Sequence, residues 1–400
     1  MKTNLPLSRR NVLSVSASVF GHFIVETCYN FLPIVYPLLI ASMGLRFAQI
    51  GFIAFVLSIV ASVAQPAFGL LSDRWSPWKL ASLGVIWGGV FLGLIGLAPS
   101  YELLVLAVAL GALGAAAFHP SGVTIASVGV GKHRGAVVSL FSVGGNLGAA
   151  SSPLLVAASI GWLGLSGTSI LIPIAMLTGL LMYWQLGIGA GIRSEDYSQA
   201  KINDTSRANS NGWKLGLILV VFSIMFRSWF LSFITYLPMW IQEQGRTLAM
   251  GGQLLFVFSA FMGGGSLLGG VLSDRIGRWQ VLALGLGLLG PSYWFFLDAV
   301  NSDMQVILLS VMGILVGLTF PVGIVFAQEV WPRGVGLASA LAIGLGSAPA
   351  GIGASVTGLL ADKYSLEVGL RALLFAPICG LACVLILVVL QHRNTMPHRA

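Results

Sequence analysis

The chain has 400 residues, 56% of them hydrophobic and 8% charged, with a mean hydropathy of +0.92. Soluble domains carry about 25% charged residues, so a water-soluble fold is excluded. The net charge of +8 comes from basic residues scattered through short loops, with no basic stripe of the kind that tracks a nucleic acid, and nucleic-acid binding is excluded with it.

Twelve stretches are long and apolar enough for a spanning helix, which needs about 20 mostly apolar residues. They are 11–40, 47–71, 80–98, 103–128, 136–158, 163–188, 213–241, 250–271, 280–299, 304–329, 335–360 and 369–391. The first follows Lys2, Arg9 and Arg10, as a secretory signal would, but its apolar run continues to Ile40 and more spans follow, so it reads as an uncleaved membrane helix. Pro66, Pro120, Pro153, Pro238, Pro321 and Pro377 fall inside spans, where neighbouring helices satisfy the backbone groups that proline frees. Cys28, Cys379 and Cys383 also lie within spans and read as small packing residues. No metal-ligand spacing and no disulfide framework is present. The 51 glycines suit closely packed membrane helices.

Of the 21 lysines and arginines, Arg46, Arg246, Lys363 and Arg371 fall in loops on one side, Arg227 lies within a span, and the remaining sixteen fall on the other side. Positive residues accumulate in the cytoplasm, which puts both termini there. The one long polar segment, 189–212, reads as a flexible cytoplasmic linker. It divides the chain into an expected six-helix bundle at 1–188 and a second at 213–400.

His22, Glu26 and Asn30 recur every four residues in the first span and share one helical stripe. A carboxylate in hydrocarbon is costly, usually faces a cavity, and often carries protons or binds ions. Besides His22 and Glu26, only His119 in the fourth span and Arg227 in the seventh are ionisable and well inside a span. A carboxylate whose burial and neighbouring charges change can gain and lose a proton, and histidine titrates near neutral pH without help. Arginine keeps its proton, so Arg227 is a fixed positive charge that suits an anionic substrate. Glu26 is therefore the candidate proton carrier, with His22 and His119 tuning it or binding substrate. The plain alternatives are a static Glu26–Arg227 salt bridge and histidines that never titrate. Asn30 and Asn146, with Gln65, read either as ligand contacts or as interhelical hydrogen-bond partners. Tyr29, Trp229 and Tyr236 read as cavity residues or packing, whereas Tyr36 and Trp240 read as packing or interface belt.

The halves repeat. Gly69–Lys79 (GLLSDRWSPWK) matches Gly270–Gln280 (GVLSDRIGRWQ) at an offset of 201, and Phe118-His119-Pro120-Ser121-Gly122 matches Thr319-Phe320-Pro321-Val322-Gly323 at the same offset. Leu32-Pro33 matches Leu237-Pro238, and Arg134-Gly135 matches Arg333-Gly334. The Leu-Pro alignment puts Arg227 at the position of His22. Two parallel six-span repeats are the plan of the major facilitator fold, an all-α membrane protein of twelve transmembrane helices.

The loop Gly270–Arg278 resembles the signature G-x-L-x-D-R-x-G-R of the major facilitator superfamily; its first copy keeps only Gly69, Leu71, Asp73 and Arg74. The resemblance implies that spans 1, 4, 7 and 10 line a central cavity, and that Asp73, Arg74, Asp274, Arg275 and Arg278 act in cytoplasmic gating. Gly144-Gly145-x-x-Gly148 and Gly265-x-x-x-Gly269 read as close-packing sites. A narrower resemblance is to the fosmidomycin-resistance efflux family. It rests on Gly21-His22-Phe23 with Glu26 and Phe31-Leu32-Pro33, on Phe118-His119-Pro120, on Ser139–Gly148, and on Arg227-Ser228-Trp229 before Tyr236-Leu237-Pro238. Glu26 stands where aspartate is the commoner family residue, and the fourth span lacks the arginine of drug/proton antiporters, so their proton mechanism does not transfer.

The expected function is secondary active transport in a bacterial inner membrane: proton-coupled efflux, by antiport, of a small anionic compound such as a phosphonate antibiotic. Proton-coupled uptake of an organic anion is the alternative within transport, and a membrane sensor or scaffold is the alternative outside it. No nucleophile–base constellation points to an enzyme, no nucleotide-binding motif points to ATP-driven transport, and no cofactor is implied. The expected partners are protons, the anion and the lipid bilayer, with the chain working as a monomer.

Overall fold

The computed structural model describes residues 9–127, 130, 134–189, 212–300, 302–330 and 349–395, without side-chain detail at Asp73, Arg74 and the residues next to the gaps. Every element among them is helical. Ten described helical runs are long and apolar enough to cross a membrane. One of these, Ala136–Gly187, is 52 residues long and holds two spans, and Ala350–Lys363 is the described part of the eleventh. The described helices are consistent with the twelve expected spans, and the protein is a multi-pass membrane protein.

The chain forms two compact units, 1–43 with 60–202 and 44–59 with 203–400. The expected linker, 189–212, lies outside the described residues apart from its ends. In the first unit, the expected single span 11–40 is two helices, α1 (Arg9–Tyr29) and α2 (Leu32–Met43). Pro33 lacks the N–H group that a continuous helix would use toward Tyr29 O, so the ladder is interrupted at Asn30-Phe31 and resumes with Ile34 N–H donating to Phe31 O, while Pro37 is tolerated inside α2. The second span is α3 (Phe47–Arg74), followed by α4 (Pro77–Gly93), α5 (Tyr101–Ser127), α6 (Arg134–Leu163) and α7 (Leu171–Trp184). Glycines let these helices approach. A Cβ at Gly114 would run into Gly88 of α4, and Cβ atoms at Gly144 and Gly148 would run into the α1 backbone at Val19 and Phe23.

The second unit contains α8 (Gly212–Glu243), α9 (Leu248–Ile276), α10 (Arg278–Asp298), α11 (Asp303–Val330), α12 (Ala350–Lys363), α13 (Leu366–Ala372) and α14 (Phe375–Thr395). Gly265 and Gly269 of α9 sit against Ile314 and Leu318 of α11, and a Cβ at either would meet the α11 backbone. An aromatic core of Trp229, Phe233, Phe258, Tyr293 and Phe296 fills the unit, with ring centroids 5.2–5.7 Å apart in the Trp229–Phe233, Trp229–Tyr293, Phe233–Phe258, Phe233–Tyr293 and Phe233–Phe296 pairs.

Residues 44–59, expected with the first bundle, pack in the second unit. The first four N–H groups of a helix need outside partners. At α3 the Asp362 carboxylate supplies two contacts, accepting from Phe47 N at 2.8 Å and Ala48 N at 3.0 Å. The Tyr236 hydroxyl lies 3.0 Å from Phe47 O and 2.9 Å from Ala354 O. Ser355 Oγ donates to Gly51 O at 3.2 Å.

Candidate functional site

In the first unit, α1 presents His22 and Glu26 to His119 of α5. Nε2 of His22 lies 3.4 Å from Oε1 of Glu26, and Nε2 of His119 lies at the same distance from that oxygen. The glutamate is 19% exposed, His22 12% and His119 28%, so three ionisable side chains lie largely buried inside an apolar bundle. Asn30, the third member of the α1 stripe, donates Nδ2–H to Oε2 at 2.6 Å and also lies 2.9 Å from Glu26 O. Each carboxylate oxygen therefore has its own neighbours.

The surroundings fix the His22 ring. Its Nδ1 lies 2.8 Å from Phe141 O of α6, and the ring stacks on the Phe141 side chain at 4.0 Å between centroids. A carbonyl oxygen only accepts, so the proton sits on Nδ1 and Nε2 is left to face Glu26. Gly145, one turn further along α6, makes room: a Cβ there would overlap the imidazole. His119 meets His22 edge-on at 5.3 Å.

In the second unit, Arg227 is half-buried in α8, and its guanidinium carbon lies 4.8 Å from the Phe320 ring of α11. A cation over a ring face is attracted by the ring quadrupole. The other expected site residues separate into two groups. Tyr29 is half-buried on α1 beside the cluster, and Asn146 is exposed on α6. Trp229 and Tyr236, expected as ligand contacts, are fully buried in the second unit. Trp229 is enclosed by aromatic rings and the Tyr236 hydroxyl bridges toward two backbone carbonyls, so neither presents surface to a ligand. Tyr36 and Trp240 are buried packing residues.

The signature loop is compact. Gly277 takes φ +101° between α9 and α10, a region L-residues with a Cβ avoid. Arg278 Nη1 donates to Ser273 O at 2.9 Å while Nη2 pairs with Asp274 Oδ1 at 2.9 Å. Arg275 is exposed. In the first copy Ser76 stands in the place of Gly277 at φ −66°, with Pro77 opening α4, which explains why that copy departs from the motif after Arg74. The side chains of Asp73 and Arg74 lie outside the described residues.

Sequence reasoning did not single out Phe141, Gly145 as a seat for His22, or Phe320. Phe141 acts through its backbone carbonyl, which leaves no side-chain signal. Phe320 was findable, because the 201-residue offset aligns it with His119. The sequence showed no metal-ligand spacing, yet the fold assembles His22, Glu26 and His119 into a donor set whose ligating atoms all lie within 4.8 Å of one another.

The sequence matches the family described as Major Facilitator Superfamily, over residues 18–342 and 217–399. It is 27% identical to the fosmidomycin resistance protein of Escherichia coli (strain K12), over 92% of this chain and 91% of that one. It is 32% identical to YfnC of Bacillus subtilis (strain 168), an uncharacterized transporter of the same superfamily, over 95% and 96% of the two chains. Its fold is similar to that of a bacterial homolog of the human lysosomal transporter Spinster in an inward-facing and occupied conformation. The TM-score is 0.74 at 16% identity, covering 97% of this chain and 98% of the other.

Proposed function

Because the chain belongs to the Major Facilitator Superfamily and is a membrane transporter rather than an enzyme, we propose that it is a proton-coupled antiporter that exports a small anionic compound. The reading has one chain working by alternating access in a bacterial inner membrane. The bias of basic residues to one set of loops supports cytoplasmic termini.

One observation carries this reading, the way His22, Glu26 and His119 share Oε1 of Glu26. With the His22 proton held on Nδ1 by Phe141 O, a neutral His22 turns a lone pair toward that oxygen. Lone pair against carboxylate is repulsive, and one proton between Nε2 and Oε1 removes the repulsion whether it makes an imidazolium or a carboxylic acid. The cluster is thus suited to hold one exchangeable proton, with Glu26 as its carrier and His22 and His119 as its partners. Arg227, a charge that does not leave, is the candidate anion clamp, and Asn30, Tyr29 and Asn146 are candidate polar contacts. Asp274, Arg275 and Arg278, with Asp73 and Arg74, are the candidate gating residues. Resistance to fosmidomycin, a phosphonate, is named for the E. coli relative and supplies the first substrate class to try.

The test is proton flux in liposomes holding a trapped pH dye, on addition of fosmidomycin to wild type and to Glu26→Gln. Substrate-dependent flux in wild type that vanishes in the variant is expected. Flux that persists in the variant moves the proton from Glu26 to a histidine. Absence of flux in wild type, with a working control transporter, removes fosmidomycin as the substrate and calls for an anion screen.

A further inference from the structure

The geometry of the same three side chains meets a second requirement, independent of transport. Around a tetrahedral ion with ligands at about 2.0–2.1 Å, neighbouring ligand atoms stand about 3.3–3.4 Å apart. The His22 Nε2–Glu26 Oε1 and His119 Nε2–Glu26 Oε1 separations are both 3.4 Å. The third separation, between the two imidazole nitrogens, is within 4.8 Å. Tetrahedral binding requires that separation to be about 3.4 Å, an adjustment that would fall to His119, the most exposed of the three at 28%.

The surrounding groups are those that orient metal ligands. Histidine ligands commonly donate their other ring N–H to a carbonyl or carboxylate. His22 does so to Phe141 O at 2.8 Å, which leaves the Nε2 lone pair directed at the site. Asn30 occupies Oε2 of Glu26 at 2.6 Å, leaving Oε1 for an ion. Ring stacking on Phe141 and the missing Cβ at Gly145 hold the His22 plane. Two imidazoles and one carboxylate suit borderline transition ions, whereas Ca²⁺ and Mg²⁺ prefer all-oxygen sets.

We propose that His22, Glu26 and His119 bind one divalent transition-metal ion, Zn²⁺ or Co²⁺, leaving a fourth position open to water or a ligand anion. The ion takes the lone pairs that the coupling proton would use, so a loaded protein is arrested; that consequence, unlike the binding, rests on the transport reading above.

The test is a titration of purified, untagged protein with CoCl₂, in a background where His133, His392 and His398 are replaced by asparagine. Visible absorption reports coordination, and elemental analysis reports stoichiometry. One Co²⁺ per chain is expected, with a visible d–d band that Zn²⁺ displaces. Glu26→Gln and His119→Gln each abolish the band while eluting as the wild type does. Asn30→Ala keeps all three ligands and weakens binding by about 10–100-fold, as loss of an orienting partner does. Wild-type protein without a band, or a band that survives in both ligand variants, overturns the proposal. Because the readout is spectroscopic, a Co²⁺ band in protein that moves no protons leaves the metal site standing without the transport reading, and proton flux without a band does the reverse.

Discussion

Spans 1 and 4 of the first unit and spans 7 and 10 of the second hold matched positions with unlike chemistry. His22 aligns with Arg227 and His119 with Phe320. In each unit the matched pair meets across helices, the two histidines edge-on at 5.3 Å and the guanidinium over the phenyl ring at 4.8 Å. Glu26 aligns with Leu231 by the same 205-residue offset that relates Leu32-Pro33 to Leu237-Pro238. One unit therefore puts titratable groups where the other puts a permanent cation on an aromatic ring. The repeat supplies equivalent backbone seats with unlike side chains, and the proposed function divides the work between them: a proton site in one unit, a fixed charge in the other.

Moving the acid is the strongest way to break that division. A double variant, Glu26→Leu with Leu231→Glu, is expected to show no substrate-dependent proton flux at wild-type expression levels; recovered flux would mean that the units are interchangeable. Next comes the fixed charge. Hydrogen bonds to charged groups are worth about 1.5–3 kcal/mol, so Arg227→Gln is expected to weaken substrate affinity by about 10–150-fold in a binding assay, and an unchanged affinity would remove Arg227 as the clamp. Gly145→Ala presses on the His22 ring and is expected to cost about 1–3 kcal/mol of stability, as overpacking does, with slowed transport; thermal unfolding and flux measure the two. Phe320→Leu removes a cation–π contact worth about 0.5–2 kcal/mol and is expected to raise the substrate KM by about 2–30-fold. The smallest effect is on stability at the signature loop. Asp274 is 70% exposed, so Asp274→Asn is expected to change unfolding free energy by about 0–1 kcal/mol, and a slowed turnover at unchanged stability would locate its role in gating.

Much of the fold was readable because hydrophobic length is a direct consequence of the bilayer, and the repeat needs only aligned landmarks. The break after Asn30 was harder to read, since Pro33 and Pro37 are compatible with a kinked helix or with two. That residues 44–59 pack with the second unit is not legible in sequence, because partners such as Asp362 and Ala354 are distant along the chain. The stripe of His22, Glu26 and Asn30 was legible, as all three lie on one helix at one spacing. His119 joins it only through the fold, and Phe141 O contributes an atom that every residue carries. Trp229 and Tyr236 show the reverse difficulty: an aromatic near a membrane proline looks the same in sequence whether it lines a cavity or, as here, fills a core.

The division of labour is tested most directly by comparing two transport modes in the same proteoliposomes, proton-driven accumulation and exchange of labelled for unlabelled substrate. Exchange needs binding and alternating access but no net proton movement. Glu26→Gln is expected to lose accumulation and keep exchange, while Arg227→Gln loses both. Accumulation that survives in Glu26→Gln, or exchange that survives undiminished in Arg227→Gln, would contradict the assignment of the proton to Glu26 and of the fixed charge that holds substrate to Arg227.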